Sequence, residues 1–349
     1  AVARLEEALA VTGKSASHGK IGALLVIKSV CEEFGAAAQP FLLPLLGGVL
    51  GASGDKGQKL KDAAGDALKA LVAAMNPYAL RLMLPTVYEC ARHDKTEVRV
   101  TTLNLVAELA SGKGVDAVAH ELYDIVPVLS ELMWDSDDAV VEAATAAMTA
   151  CTDTARNKDL KAFTPQMVNC ILNPDTVPAC IHELAATVFV QEIQSPALAV
   201  TVPLLARGLQ EAETVIRRKS CTIIDNMAKM IEHPEEAVAF MPRILPLVTK
   251  AAQDIPDPEA RSVAQRALAT LKSIEGAALQ NKQMNPEAVQ SALLECIAQL
   301  PHDQAPKEGF DTVGGGWRTA LRQASEMCSV LISNSNFEES EWEAAVLGP

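Results

Sequence analysis

Three stretches of the 349-residue chain place side chains at spacings that could do chemistry. Ala8-x-x-x-x-Gly13-Lys14-Ser15 has the lysine and hydroxyl of a phosphate-binding loop. That chemistry needs a buried strand before the loop and a helix after it, so that backbone N–H groups cradle the phosphates. Ala3-Arg-Leu-Glu-Glu-Ala-Leu-Ala10 reads instead as helix, the first glycine of the motif is Ala8, and no apolar strand ending in aspartate follows to hold magnesium. An inter-helix turn is expected there. His182-Glu183 opens like the two-histidine zinc helix, but the second ligand position is Ala186, so the metal reading fails. Arg217-Arg218-Lys219, with Arg207 upstream and Glu211 and Glu213 between, could neutralise the phosphates of a nucleic acid. Consecutive residues span nearly 300° of a helix, so at least two of these three should face solvent. The competing reading is a charged solvent face, with Arg217 serving a ladder of arginines that pair with aspartates of neighbouring units.

Other reactive side chains form no constellation. No serine has a G-x-S-x-G setting, and the histidines at 18, 93, 120, 182, 233 and 302 are never close together. The cysteines at 31, 90, 151, 170, 180, 221, 296 and 328 include no C-x-x-C pair and sit mostly in apolar helical runs. They read as small buried hydrophobes of a reducing compartment, not as a disulfide or zinc framework. Asp137-Asp138 and Glu235-Glu236 fall at turns, where acids favour helix N-termini. No catalytic site and no metal site is expected, and the chain reads as a non-enzyme.

The elements that carry these residues repeat. A proline recurs between two short apolar runs at Pro44, Pro85, Pro127, Pro165, Pro203 and Pro246, with spacings of 41, 42, 38, 38 and 43. A period near 40 belongs to HEAT and armadillo arrays, in which each unit is a helical hairpin. After each proline comes an Asp- or Glu-containing turn and a second, Ala/Leu-rich helix. Arg99, Arg217 and Arg261 open three of these second helices, 14, 14 and 15 residues after their prolines; the third unit has Glu142 there, the fourth lacks the arginine, and the first offers only Lys59. Each proline is expected inside a first helix, where it removes a hydrogen bond and bends the axis. A lone hairpin cannot bury both faces, so units must stack.

The fold class is therefore all-α: a HEAT-repeat α-solenoid over residues 1–275, about seven hairpins with the first partial, then a small helical-bundle segment over 276–349, read as truncated. Residues 1–39 are expected to be the second half of a preceding unit. Aromatic content of only 4% suits closely packed Ala/Leu helices and disfavours an all-β fold. Trp134 reads as packed between repeats. The net charge of −14 excludes a dedicated nucleic-acid surface. Residues 276–349 carry ten acids and four bases, net −6, which leaves −8 to the array and room for a local basic turn. Apolar runs are interrupted short of the roughly 20 residues a membrane span needs, so no membrane partner is expected.

Four runs also carry a resemblance. Val202 to Lys229, containing Arg207-Gly208-Leu209, Arg218-Lys219-Ser220 and Asp225-Asn226-Met227, resembles the HEAT region of the elongation factor 3 family, ribosome-associated ABC ATPases. So do Pro127 to Asp135, Ala143 to Thr149 and Asn157-Lys158-Asp159. The likeness covers about residues 75–275. A related stretch occurs in the large Gcn-type activator scaffold, which binds ribosomes and signals amino-acid starvation; Met133-Trp134-Asp135 and Ile223 to Met227 look closer to the elongation factor. The resemblance implies an N-terminal piece of a larger protein, with ATP and magnesium bound by two cassettes beyond Pro349 and no cofactor here. It implies a cytoplasmic array that touches the small-subunit head through rRNA and ribosomal proteins, and other elongation factors besides. The whole factor would help release deacylated tRNA from the exit site. Arg207, Arg217, Arg218 and Lys219 become the candidate ribosome contacts.

Overall fold

The computed structural model describes residues 2–11, 16–76 and 79–282. Gly13, Lys14 and Ser15, and nearly all of the segment expected as a helical bundle, lie outside these residues. The described residues form fifteen α-helices and no strand. The chain divides into two compact units, Ala1–Ile274 and Glu275–Pro349. The first is the stack described below.

Helices alternate between two layers. The first layer consists of α1 (Val2–Ala10), α4 (Leu46–Ser53), α6 (Leu80–Ala91), α8 (Val115–Leu132), α10 (Thr164–Leu172), α12 (Ser195–Gly208) and α14 (Met241–Asp254). The second consists of α2 (Ala16–Phe34), α5 (Gln58–Ala74), α7 (Thr96–Ser111), α9 (Asp138–Asp153), α11 (Val177–Leu184), α13 (Thr214–Ala228) and α15 (Pro258–Lys282). A short helix, α3 (Gln39–Leu42), precedes α4. From α1 to α12 each first helix pairs with the second helix of its own hairpin, and α2 with α5, α7 with α9 and α11 with α13 continue the second layer from hairpin to hairpin. First helices also touch in the pairs α1–α4, α4–α6, α6–α8, α10–α12 and α12–α14, whereas α8 reaches past α10 to α12.

One apolar core runs through the stack from Leu9 to Ile274. In α7 the buried residues Val98, Thr102, Leu103, Leu105, Val106 and Ala110 follow the three- and four-residue steps of one helix face. Acidic caps start several second helices. The Asp137 carboxylate accepts from Ala139 N at 3.0 Å, and that of Asp257 accepts from Ala260 N at 2.7 Å.

Four of the six repeating prolines, Pro85, Pro127, Pro203 and Pro246, lie inside first helices as expected. Two do not. Pro44 sits in a tight 3-10 turn before α4, and Pro165 sits in the first turn of α10, where its missing N–H costs nothing. The first hairpin also has more than its second helix, because α1 packs against α2 and α4. α15, the last described helix, runs to Lys282.

By length and composition the helical stretch Ala16–Ser53 is apolar enough to cross a membrane, which the reading of apolar runs missed. It is not one helix. α2 ends at Gly35, whose φ is +49°, and Lys20 and Lys28 on α2 pair with Asp55 and Asp66 at 2.8 and 2.9 Å. These bonds, and the packing of α2 on α5, seat the segment in the stack.

Polar bonds tie most hairpins to the next at a sequence distance of about one repeat. Arg99 is the clearest case. Its guanidinium donates to the carbonyls of His93 and Asp94 in its own turn and to the Asp135 carboxylate of the next at 3.1 Å. Arg261 caps its own turn in the same way, through Ile255 O and Pro256 O. Asp55 bridges Lys20 and Lys95, Glu131 pairs with Arg92, and Glu97 pairs with Lys61. Asp225 is the most buried acid in this set, at 1% exposure. It accepts from Lys229 at 2.7 Å, Arg266 at 2.9 Å and Thr270 at 2.7 Å. Burial works to raise its carboxyl pKa, but these three donors outweigh it and hold the group below the ordinary value.

Two predictions follow from this packing. A group whose folded pKa is depressed stabilises above its unfolded value, near 4, and loses that contribution as pH falls through the folded value. Asp225→Asn should therefore flatten the acid limb of a pH–stability curve below pH ~4. Asp225→Ala should cost about 2 kcal/mol at neutral pH by urea denaturation, since Lys229 and Arg266 can rehydrate. At Gly208 a Cβ would overlap Ile181 Cδ1 and the Ser220 hydroxyl, so only glycine lets α12 end this close to α11 and α13. Gly208→Ala should destabilise by roughly 1–3 kcal/mol, as overpacking does.

Candidate functional site

The basic residues singled out in the sequence surround the α12–α13 connection, as expected, but they face different neighbours. Arg207 is in the last turn of α12. Its guanidinium donates to the carbonyls of Cys170 and Ile171 at the C-terminal end of α10. Those carbonyls have no partner within their own helix, and a cation there also suits the negative end of the helix dipole. Arg207 is thus held against the fifth hairpin.

Arg217, Arg218 and Lys219 lie in the first turns of α13, all half-buried. Arg218 pairs with Glu259 at the start of α15. Arg217 occupies the register of Arg99 and Arg261, yet no turn carbonyl or aspartate binds it among the described residues; its Nε is buried and unpaired. The expected ladder partner is therefore not made. Lys219 has no ion-pair partner among the described residues either. The turn thus offers two uncommitted cations and one engaged in an exposed ion pair.

The rejected motifs are placed as follows. His182 and Glu183 are exposed on α11, and Glu183 accepts from Gln166 at 2.9 Å. Among the described residues no three metal-ligating side chains cluster. Trp134, expected to pack, is 58% exposed after α8, because the neighbouring Met133 takes the buried position.

The six described cysteines are buried and free. Burial pushes the Cys90 thiol up to about 11 and those of Cys151 and Cys221 up to about 12. Cys170 and Cys180 form a close pair that spacing did not reveal. The Cys180 thiol donates to the Cys170 sulfur, and the Thr176 hydroxyl lies 3.3 Å from it, so Cys170 is shifted down and Cys180 up.

With this geometry in place, known families give a consistent picture. The family described as EF3 N-terminal HEAT repeat matches residues 1–148, and that described as Elongation factor 3/GNC1 HEAT repeat matches residues 176–282. The chain belongs to the elongation factor 3 HEAT-repeat family. Elongation factor 3 of Candida albicans is 38% identical over 334 residues, 94% of this chain and 31% of the relative. That of Phytophthora infestans is 32% identical over 342 residues, 97% of this chain and 32% of the relative. That of Zygosaccharomyces rouxii is 38% identical over 257 residues, 73% of this chain and 24% of the relative. The chain thus spans about a third of these relatives, or less. Among solved structures, a designed armadillo repeat protein is 16% identical over 78% of this chain and all of its own, with a TM-score of 0.26.

One run that carried the family resemblance, Asn157-Lys158-Asp159, has a physical role here. The Asp159 carboxylate accepts from Val190 N and Gln191 N, both at 2.8 Å, and the Asn157 amide donates to Glu192 O at 3.3 Å. Together they fasten the extended segment between α11 and α12, and so fix where α12 begins and Arg207 ends.

These contacts rank the basic residues by structural cost. Arg218→Ala and Lys219→Ala should change stability by no more than about 0.5 kcal/mol, because an exposed ion pair contributes little. Arg207→Ala should cost about 1–3 kcal/mol, because two helix-end carbonyls lose a charged donor. Urea denaturation of the three variants checks this order.

Proposed function

We propose that this array is a ribosome-binding HEAT domain of an elongation-factor-3-type translation ATPase, working in the cytoplasm, and that the first turns of α13 form its contact with rRNA. The observation that carries the reading is the 38% identity to an elongation factor 3 over 94% of this chain. The physical support is local. Most basic side chains of the ladder are tied to acids of neighbouring hairpins, whereas Arg217 and Lys219 are not, and they adjoin Arg218, whose Glu259 partner is exposed. Arg and Lys in this setting can exchange solvent for phosphate oxygens at little structural cost. Arg207 supports the turn from the α10 side and stays among the candidates.

In this reading ATP and magnesium belong to the cassettes of the full-length factor, as does promotion of tRNA release from the exit site. The partners of the array are rRNA and ribosomal proteins of the small-subunit head, and other elongation factors are partners of the whole protein. The family name that joins elongation factor 3 with GNC1 favours one second reading, a ribosome-associated signalling scaffold in which the array binds proteins only.

Replacing Arg217, Arg218 and Lys219 together by glutamate should abolish cosedimentation of the fragment with ribosomes at low salt. Unreversed, the binding should weaken steeply with added salt, with a slope set by the phosphates neutralised. Unchanged cosedimentation of the reversed variant would leave this turn a solvated face.

A further inference from the structure

The first-helix layer carries a cleft that is separate from the α13 turn. Its outer part, about 240 Å³, lies between α8, α12 and α14 and is walled by Tyr123, Pro127, Pro203, Phe240 and Arg243. Its inner part, about 60 Å³, continues toward α10 and holds Ser130, Thr152, Cys170, Arg207 and Arg243. Val126, Pro203 and Arg243 line both parts, so the two adjoin.

Two guanidinium groups, those of Arg207 and Arg243, line the inner part, which has no acid in its wall. Among the described residues no acid lies within ion-pair distance of Arg207 or Arg243. Burial, and then the Arg207 charge beside it, pull Arg243 below the usual arginine range. Arg207 is already fixed by the α10 carbonyls, so it is pre-organised and costs little further entropy on binding. Tyr123 and Phe240, edge to face at 5.2 Å, make a firm apolar wall.

The occupant must bring negative charge and apolar surface together. A polyphosphate chain suits this poorly. It needs an extended basic track, whereas Asp124 lines the outer cleft itself and the array is net −8. An isolated carboxylate flanked by aliphatic side chains matches both the paired cations and the proline and aromatic walls. We propose that this cleft docks an acidic peptide segment of a protein partner, one carboxylate held between Arg207 and Arg243 and aliphatic neighbours laid along Pro127, Pro203 and Phe240. The site does not depend on the rRNA reading of the α13 turn.

The test uses the 349-residue chain, a fluorescein-labelled decapeptide alternating glutamate with leucine, its glutamine counterpart, and labelled decauridylate, all by fluorescence polarisation. The acidic peptide should bind, its glutamine counterpart at least about tenfold more weakly. Arg243→Glu should weaken the acidic peptide by about tenfold or more while its melting curve stays that of the parent, since Arg243 makes no ion pair or side-chain hydrogen bond among the described residues. Asp124→Asn should tighten binding severalfold by removing the repelling charge at the mouth. An unchanged Kd in Arg243→Glu, or decauridylate binding that Arg243→Glu weakens as much as it weakens the peptide's, overturns the proposal. Ribosome cosedimentation of Arg243→Glu should match that of the parent, which separates this site from the α13 turn.

Discussion

A helical hairpin of about 40 residues has two large faces and can bury neither alone, and this constraint shapes the rest of the molecule. Every hairpin must hand one face to the unit before it and one to the unit after it. The apolar part of that contact is nondirectional and would tolerate sliding. Register comes from the polar bonds at one-repeat separation, of which Arg99 to Asp135 and Asp225 to Arg266 are the best shielded on the acid side. Each exposed pair contributes at most about 1 kcal/mol. Together they specify which turn sits beside which, because a slipped hairpin would leave Asp225 buried without its donors.

The ladder also decides what the surface can do. A chain with 30 basic residues against 44 acids has few cations to spare, and the register bonds engage many of them. The basic side chains that remain uncommitted are therefore more informative than those that are merely present. Arg217 has the position of a ladder arginine without the ladder's partners, and Arg243 shares its cleft with a second cation. Neither arrangement improves the stack by itself, which is the physical ground for reading both as binding features.

Period and composition made the architecture legible because stacking repeats the same demand every 40 residues. The helical hairpins, the buried cysteines and the position of the α12–α13 turn followed from that period. What escaped was set by contacts between units. Pro44 and Pro165 have the same apolar neighbours as the other repeating prolines, but their backbones take different paths because the adjoining helices are short. Trp134 looks like core by residue type, yet Met133 occupies the buried position beside it. Arg207 reads with Arg217 and Arg218 along the chain, whereas in space it belongs to the end of α10. The Cys170–Cys180 pair is brought together by the α10–α11 turn, at no recognised spacing.

The fifth hairpin explains why the unusual features gather where they do. Its helices α10 and α11 have only nine and eight residues, too few to fill a full layer position. α8 therefore reaches α12 directly, and the shortened α10 ends with carbonyls that its own helix cannot satisfy. Arg207 meets that need from the sixth hairpin, which draws a guanidinium into the first-helix layer. The gap beside the short helix becomes the inner cleft, and the Asn157–Asp159 clasp holds the extended segment that makes up the missing length. One irregular repeat thus converts a uniform stack into a stack with a local cationic recess, without any change to the apolar core on either side.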